Sequence, residues 1–204
     1  MAFIDFEKAF DAETTAILNA LKEQGVDDSY INMLEHIYSH GVSRIQLLTE
    51  GQPFHLERGV RQGDSISPKL FISCLQSIFC KLNWQEKKYG LCIGEEHLTN
   101  LRFADNIVLI AKSTELQQMM NDLTRESSRV GLNVNKTKVM SKTPASININ
   151  NQPLGNVTNY PYLGNLVSVD GDHEPEVAGK IGLAWNNFKK LDKYLIQPKS
   201  LCNV

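Results

Sequence analysis

The chain has 204 residues, 42% of them hydrophobic, and a formal net charge of -2, which suits one folded domain or one domain and part of a second. This composition excludes collagenous, low-complexity and disordered classes, and no apolar run reaches the roughly 18 residues that a membrane span needs. Asp5, Glu7 and Lys8 interrupt any signal-peptide core, so we expect an intracellular protein, nuclear or cytoplasmic, that is not secreted.

The first 40 residues predict a short buried strand followed by two helices. MAFIDF, residues 1–6, is apolar and carries one carboxylate near its end, Asp5. Residues 13–25 repeat apolar side chains at helical spacing as far as a terminating Gly25, and residues 28–40 do the same after a predicted N-cap, Asp28. The predicted apolar faces are Ile17, Ala20 and Leu21 in the first helix, and Ile31, Leu34 and Tyr38 in the second.

The next segment predicts a hairpin and then a long helix. Residues 43–59 alternate in polarity on both sides of EGQP, which is typical of a hairpin. Ser67 is predicted as the N-cap and Pro68 as the first helical residue of a helix that ends at Leu82. The apolar stripe of this helix consists of Leu70, Phe71, Cys74, Leu75, Ile78, Phe79 and Leu82.

The cysteines show no pattern that indicates a metal site or a redox motif. They lack C-x-x-C spacing, and no histidine cluster lies near them. We therefore predict buried, reduced thiols at Cys74, Cys80, Cys92 and Cys202.

The central segment LRFADNIVLI, residues 101–110, predicts two apolar strands joined by a polar tip. Asp105 and Asn106 lie at that tip. A helix over residues 114–131 follows, with a predicted capping box from Thr114 to Gln117 and an end at Gly131. Its apolar stripe is Leu116, Met119, Met120 and Leu123.

The order strand, helices, hairpin, helix, strand predicts an α+β fold in which helices back a split βαβ (ferredoxin-like) antiparallel sheet. The first strand and the central hairpin can be neighbours in such a sheet, so we expect Asp5 and Asp105 to meet at one edge. Two carboxylates there suit Mg²⁺, which takes hard oxygen ligands and shares its shell with substrate phosphates. The residues alone leave a second interpretation open, in which Asp105 and Asn106 only serve a tight turn.

Five segments, in chain order, resemble the palm motifs of reverse transcriptases (RNA-directed DNA polymerases) of non-LTR (LINE-type) retrotransposons. They are AFIDFEKAFD, RGVRQGDSISPKLF, LRFADNIVLIAKS, GLNVNKTKVM and YPYLGNLVSVDG. The resemblance implies a right-hand polymerase palm over residues 1–171 and a connection with the start of a helical thumb over residues 172–204. The fingers, which precede the palm in this family, are expected to be absent from this chain.

By this resemblance, Asp5 and Asp105 are catalytic, metal-binding carboxylates, and Asn106 occupies the position of a third. The implied reaction is extension of a DNA primer on an RNA template with deoxynucleoside triphosphates and two Mg²⁺ ions, for which Mn²⁺ can substitute. An amide oxygen can coordinate a metal but brings no negative charge. The resemblance therefore implies weak or absent activity in this chain.

The resemblance also implies nucleotide-binding roles for Phe6, Phe10, Gln62 and Gly63. Phe10, five residues after Asp5, stands where the family has an aromatic ring that collides with a ribose 2′-hydroxyl and so selects DNA precursors. Gly63 would let backbone approach the nucleotide, and the Gln62 amide can reach nucleotide or template without adding charge.

Two later motifs complete the implied site. Lys136 or Lys138 in NKTK would protonate the departing pyrophosphate or contact a phosphate, although the spacing before them is shorter than the family's usual spacing. A solvated lysine is the alternative. Tyr162, Leu163 and Gly164 resemble the hairpin that contacts primer and template.

The last segment suggests a different interpretation. The first 57 residues hold 10 acidic and 3 basic side chains, whereas the remaining residues hold 13 acidic and 18 basic side chains. Residues 179–199 carry five lysines and one aspartate among Trp185, Phe188 and Tyr194, which predicts a helix that buries an apolar stripe and turns lysines towards phosphates. A solvated amphipathic face is equally compatible. A non-catalytic RNA-binding remnant of a retrotransposon polymerase is thus the second hypothesis, and an unrelated split βαβ binding module is the third.

Overall fold

The computed structural model describes residues 1–7, 9–45, 51–55, 59–61, 63–143 and 145–195. Helices and strands alternate along the chain, so the predicted α+β class is confirmed. The chain divides into two compact units: the first unit is residues 1–139 and 143–156, and the second unit is residues 140–142 and 157–204. The expected boundary after Gly171 falls inside the second unit.

The elements of the described residues are as follows. The helices are α1 Thr14–Glu23, α2 Asp28–Ser39, α3 Ser67–Leu82, α4 Ser113–Ser128 and α5 Glu174–Leu195, with a 3-10 turn at Ala9–Asp11. The strands are β1 Ala2–Glu7, β2 Val42–Ser43, β3 Phe54–His55, β4 Leu91–Ile93, β5 Glu96–Leu98, β6 Asn100–Phe103, β7 Asn106–Leu109, β8 Asn133–Val139, β9 Asn148–Ile149, β10 Gln152–Pro153, β11 Gly155–Asn156, β12 Asn159–Tyr162 and β13 Asn165–Ser168.

A five-stranded mixed sheet with the order β11-β8-β1-β7-β6 lies at the centre of the first unit. β1 runs antiparallel to both of its neighbours, β6 runs antiparallel to β7, and β11 runs parallel to β8. In the β1–β7 pair, Ala2 faces Leu109 and Ile4 faces Ile107. The prediction that the first strand lies beside the central hairpin is therefore confirmed.

The core of the first unit lies on one face of this sheet, under α1, α3 and α4. Successive strand residues point to opposite faces, so Ala2, Ile4 and Phe6 enter the core while Asp5 and Glu7 are exposed. The predicted helix stripes are confirmed, and the fully buried side chains include Phe71, Ile78, Leu116, Met119, Met120 and Leu123. Each such side chain contributes about 1.5–3 kcal/mol to stability, and together they fix the positions of β1 and β7.

The predicted starts of α2 and α3 are wrong by one residue. The N-cap of α2 is Asp27, whose carboxylate accepts the backbone N–H of Ser29 at 2.8 Å, so Asp28 lies inside the helix. Ser67 is itself the first residue of α3, and Pro68 is the second. The Ser67 hydroxyl is buried and accepts no hydrogen bond from described residues, so this serine does not act as a cap.

The capping box predicted for α4 is also wrong. Lys112 is the N-cap and makes no side-chain capping hydrogen bond. The Gln117 side chain instead donates to the Asn148 carbonyl and accepts the Asn148 N–H, both at 2.8 Å. A tertiary partner with two hydrogen bonds outcompetes a local cap with one, because each bond adds about 1 kcal/mol.

Two other predictions hold only in part. β2 and β3 pair antiparallel as the predicted hairpin requires, although residues 46–50 and 56–58 of the predicted segment lie outside the described residues. Cys74 is buried, and burial raises the pKa of its thiol to about 11. Cys80 and Cys92 are exposed, so the prediction of burial is wrong for them, because Cys80 lies off the buried stripe of α3 and β4 faces solvent. Cys202 lies outside the described residues.

The second unit contains the β12–β13 hairpin and α5. The predicted C-terminal helix is present, but its apolar stripe is not buried: Val177, Ile181, Trp185, Phe188 and Leu191 are each more than half exposed. Within its own unit α5 contacts β13, and a two-stranded hairpin is too small to cover a helix of 22 residues. Among the described residues, no helix combines the length and the apolar character that a membrane crossing requires.

Candidate active site

Asp5 occupies the exposed end of the central strand. On one side, Asp5 pairs with Asn135 of β8. On the other side, Ile4 of β1 pairs with Ile107 of β7, so the next position along each strand makes Asn106 the neighbour of Asp5. Ile107 points into the core, so by strand alternation Asn106 and Asp5 share the face that the helices leave open. The sheet therefore holds one carboxylate between two amides at the surface.

The β6–β7 turn brings the second carboxylate to the same end of the sheet. Phe103 pairs with Asn106, which leaves a two-residue turn of Ala104 and Asp105. Ala104 has a φ of 52°, a left-handed conformation that costs a residue with a side chain about 1–2 kcal/mol. The Asn106 amide donates to Asp105 Oδ1 at 3.3 Å, and both side chains are exposed. Backbone strain of this kind concentrates at functional sites.

The donors at this end of the sheet fit a hard divalent cation. Asp5 and Asp105 offer carboxylate oxygens, and Asn106 and Asn135 offer amide oxygens, which are the ligand types that Mg²⁺ takes. Across the described residues, no three His, Cys, Asp or Glu side chains lie close enough to hold a metal ion. Mg²⁺ commonly takes only one or two protein carboxylates and keeps several waters or substrate oxygens, so the donor types present are compatible with it.

β8 contributes two features that the sequence did not reveal. The pairing of β1 with β8 shifts between Phe3 and Asp5, so β8 bulges at Lys136, which is exposed and has a φ of 47°. Asn135 Oδ1 accepts the Lys136 N–H at 2.8 Å, and Asn135 Nδ2 donates to Glu7 at 3.5 Å. Asn135 therefore links the bulge to the strand that carries Asp5. Sequence alone held no signal for this role, because it depends on the register between two distant strands.

Phe10 lies beside the segment that carries Gly59 and Gly63. Its ring is half-buried, 5.4 Å from the Phe71 ring, and its carbonyl accepts the Val60 N–H at 2.8 Å. Gly59 donates to the Ala12 carbonyl at 3.1 Å. Gly63 has a φ of 95°, and apart from its chain neighbours no described residue has an atom within 4 Å of the point where a Cβ would be. The two motifs thus lie together, with open space beside Gly63.

The remaining predicted site residues fall in different places. The Phe6 side chain is 6% exposed and packs in the core on the opposite face from Asp5, so the implied role of Phe6 is limited to its backbone. Gln62 lies outside the described residues. In the second unit, Leu163 and Gly164 form the tight turn of the β12–β13 hairpin with φ of 50° and 78°. Burial raises the pKa of Tyr162 in this hairpin.

Comparison with known proteins identifies one protein family and several relatives. The model of the family described as "Reverse transcriptase (RNA-dependent DNA polymerase)" matches residues 1–166. The Retrovirus-related Pol polyprotein from type-1 retrotransposable element R2 of Nasonia vitripennis is 28% identical over 184 residues, which cover 80% of this chain and 18% of that protein. The protein of the same description from Popillia japonica is 27% identical over 193 residues, or 85% of this chain and 27% of that protein.

A third relative comes from Drosophila melanogaster, the Retrovirus-related Pol polyprotein from type-2 retrotransposable element R2DM. It is 29% identical over 143 residues, which cover 68% of this chain and 13% of that protein. The chain thus spans less than a third of the length of each of these relatives. The family model covers most of this chain, and these relatives are polyproteins of retrotransposable elements: the chain belongs to the reverse transcriptase (RNA-dependent DNA polymerase) family, in the branch of non-LTR retrotransposons.

Proposed function

We propose that residues 1–171 are the palm of a reverse transcriptase and that residues 172–204 form the connection and the start of a helical thumb. The strand order β8-β1-β7-β6, with α1 to α3 between β1 and β6 and α4 between β7 and β8, supports a split βαβ palm. The observation that carries the proposal is the adjacency of β1 and β7, which brings Asp5, Asp105 and Asn106 to one open end of the sheet.

In this proposal the chain extends a DNA primer on an RNA template with deoxynucleoside triphosphates. Asp5 and Asp105 hold the divalent cations through carboxylate oxygens, and Asn106 adds an amide oxygen. Two Mg²⁺ ions, when bound, supply Lewis-acid stabilisation of the attacking and leaving oxygens in phosphoryl transfer. The chain's own contribution is negative charge at two positions where the family usually has three, so we expect weak metal binding and weak or absent catalysis.

Residues around the carboxylates position the substrates. The Phe10 ring, packed on Phe71, excludes a ribose 2′-hydroxyl. The open space beside Gly63 admits the nucleotide, and the amide of Gln62, the preceding residue in the sequence, contacts the nucleotide or the template. Lys136, held out on the β8 bulge, contacts a phosphate or protonates the pyrophosphate. Tyr162, Leu163 and Gly164 contact primer and template from the β12–β13 turn.

Mn²⁺ titration followed by NMR tests the metal site directly. Sub-stoichiometric Mn²⁺ is expected to broaden the backbone amides of Asp5, Asp105 and Asn106 before others, because paramagnetic broadening falls steeply with distance. Asp5→Asn removes one unit of charge and should weaken Mn²⁺ binding at least about tenfold. Asp170→Asn, a matched change in an exposed turn of the second unit, should leave affinity unchanged. Equal broadening across the surface would refute the proposed site.

Primer extension on an RNA template tests the activity itself. We expect little or no synthesis with Mg²⁺ and a small increase at most with Mn²⁺, because the metal site lacks one charge. Robust synthesis by this chain would show that a metal site with Asn106 suffices for catalysis, and it would contradict the expectation of impaired activity.

Replacement of Phe10 tests sugar selection. In a chimaera in which this chain replaces the matching segment of the Nasonia vitripennis polyprotein, Phe10→Val should raise incorporation of ribonucleotides relative to deoxynucleotides by about 10–100-fold, since steric rejection of one hydroxyl is worth about that much. The measurement is the ratio of kcat/KM values for the two nucleotides. Phe79→Val, an aromatic truncation on α3 away from Phe10, is the control; an unchanged ratio in Phe10→Val would assign Phe10 to packing alone.

A second candidate function is RNA binding without catalysis, and the exposed face of α5 favours it. Lys189 and Lys190 lie on this helix near the exposed Trp185 and Phe188 rings. Lysines bind RNA through its phosphates, and the affinity of such binding falls steeply as the salt concentration rises. RNA binding that is salt-dependent and survives Asp5→Ala, in a chain that shows no primer extension, would favour this candidate over the enzyme.

A further inference from the structure

A second site lies on the helix side of the first unit, away from the exposed face of Asp5. A cleft of about 320 Å³ opens between the C-terminal half of α3, the segment that follows it, and the edge strand β6. Residues that line it include Gln76, Phe79, Trp84, Glu86, Asn100 and Arg102. Arg102 faces Ile107 in the β6–β7 pair, and Ile107 points into the core, so the cleft and Asp5 occupy opposite faces of the sheet.

Arg102 supplies a positioned cation without an anionic partner. Its guanidinium lies over the Phe79 ring, 4.4 Å from the ring centroid, and Nη1 donates to Gln76 Oε1 at 3.1 Å. Gln76 is held in turn by a hydrogen bond from Nε2 to the Cys80 sulfur at 3.2 Å. Partial burial lowers the pKa of Arg102. Among the described residues, no carboxylate forms an ion pair with this guanidinium.

Trp84 also lines this cleft, and its indole N–H is buried. The side chain is 4% exposed and packs edge-on against Phe79, with ring centroids 5.6 Å apart. Its indole N–H finds no acceptor among the described residues. A buried donor without an acceptor costs about 1–3 kcal/mol, so such groups ordinarily have a partner. The cleft is therefore lined by an exposed guanidinium that is stacked on Phe79 and by a tryptophan whose buried N–H has no acceptor among the described residues.

We propose that this cleft binds a carboxylate, supplied by a free organic acid or by an acidic side chain of a partner protein. The two oxygens of a planar carboxylate accept a pair of parallel hydrogen bonds from the edge of a guanidinium, and the Arg102 guanidinium is already stacked on an aromatic ring beside the Trp84 side chain. A phosphate dianion suits the cleft less well, because Glu86 offsets the one positive charge of Arg102 in the lining. The inference is independent of the polymerase proposal.

The indole N–H resonance of Trp84 provides the test. The Trp185→Phe variant leaves Trp84 as the single tryptophan of the chain, so one indole signal remains. Three probes are titrated separately at constant ionic strength: sodium acetate, an acetylated Gly-Glu-Gly amide and inorganic phosphate. Because Trp84 lines the cleft, we expect its signal to shift and saturate with a carboxylate probe. Tighter binding of the peptide assigns the site to a partner's side chain, and equal or tighter binding of acetate assigns it to a free acid.

Substitutions distinguish the paired N–H donors of the Arg102 guanidinium from the effect of its positive charge alone. Arg102→Gln should weaken carboxylate binding about tenfold or more, and Arg102→Lys should recover only part of it, because lysine lacks the planar donor pair. Glu86→Gln should tighten binding. Lys87→Gln removes a nearby cation that pairs with Asp122 at 2.7 Å and should leave binding unchanged. The proposal fails if no probe gives a saturable shift of Trp84, if phosphate alone does so, or if Arg102→Gln binds as well as the parent.

Discussion

Replacement of Asn106 by aspartate is expected to tighten Mn²⁺ binding between about tenfold and a thousandfold. A unit charge about 4 Å from an ion, at an effective dielectric near 20, is worth roughly 4 kcal/mol, which sets the upper limit. Asn106 and Asp5 are neighbours on exposed strand ends, where water and salt screen the interaction, so we expect a smaller gain at high ionic strength. The measurement is the Mn²⁺ dissociation constant at two salt concentrations.

The same substitution should make stability dependent on metal. Without a divalent ion, a third carboxylate beside Asp5 and Asp105 adds repulsion between like charges, so Asn106→Asp should lower the melting temperature in EDTA. Saturating Mg²⁺ should reverse the loss, since a ligand that binds only the folded state stabilises it by RT ln(1 + [L]/Kd). In the Nasonia vitripennis chimaera, the rate of primer extension should rise by at most about a thousandfold.

Two matched variants show whether position or charge alone matters. Asn121→Asp adds the same charge on the exposed face of α4, and it should change neither metal affinity nor the response of stability to EDTA. Asn135→Asp places the charge on the other side of Asp5 and keeps the acceptor for the Lys136 N–H. If Asn135→Asp matched Asn106→Asp in metal affinity, net charge near Asp5 would explain the gain, and the hairpin position would have no special role.

Local periodicity explains why the helices could be predicted. The stripes of α3 and α4 repeat every three or four residues, and that local spacing defines an apolar face which the sheet of the first unit covers. The adjacency of the first strand and the central hairpin could also be predicted, because the chain order of strands and helices restricts the sheet to few topologies.

Features that depend on partners distant in sequence could not be predicted. Gln117 binds the Asn148 backbone instead of capping its own helix, and nothing local distinguishes the two outcomes. The bulge at Lys136 arises from the register between β1 and β8, which the sequence of either strand leaves open. Likewise, helical spacing in α5 predicted an apolar face correctly, but burial of a face requires something to cover it.

Gly59→Ala is expected to destabilise the first unit by about 3 kcal/mol or more, and Gly63→Ala by about 1 kcal/mol. Both glycines have positive φ, 86° and 95°, so both substitutions carry the left-handed penalty of about 1–2 kcal/mol. They differ in surroundings. A Cβ on Gly59 would lie 2.7 Å from the Phe10 carbonyl oxygen and 3.2 Å from the Asp11 Cα, whereas a Cβ on Gly63 would meet no atom within 4 Å among the described residues beyond its chain neighbours.

The clash at Gly59 cannot relax cheaply, because backbone hydrogen bonds hold both segments. The Gly59 N–H donates to the Ala12 carbonyl at 3.1 Å, and the Val60 N–H donates to the Phe10 carbonyl at 2.8 Å. Moving the segment by the several tenths of an ångström that a Cβ needs would lengthen these two bonds, each worth about 1 kcal/mol, and would shift Phe10 against Phe71. Urea denaturation of the two variants measures the difference, and equal losses would mean that the close approach at Gly59 does not constrain the position of Phe10.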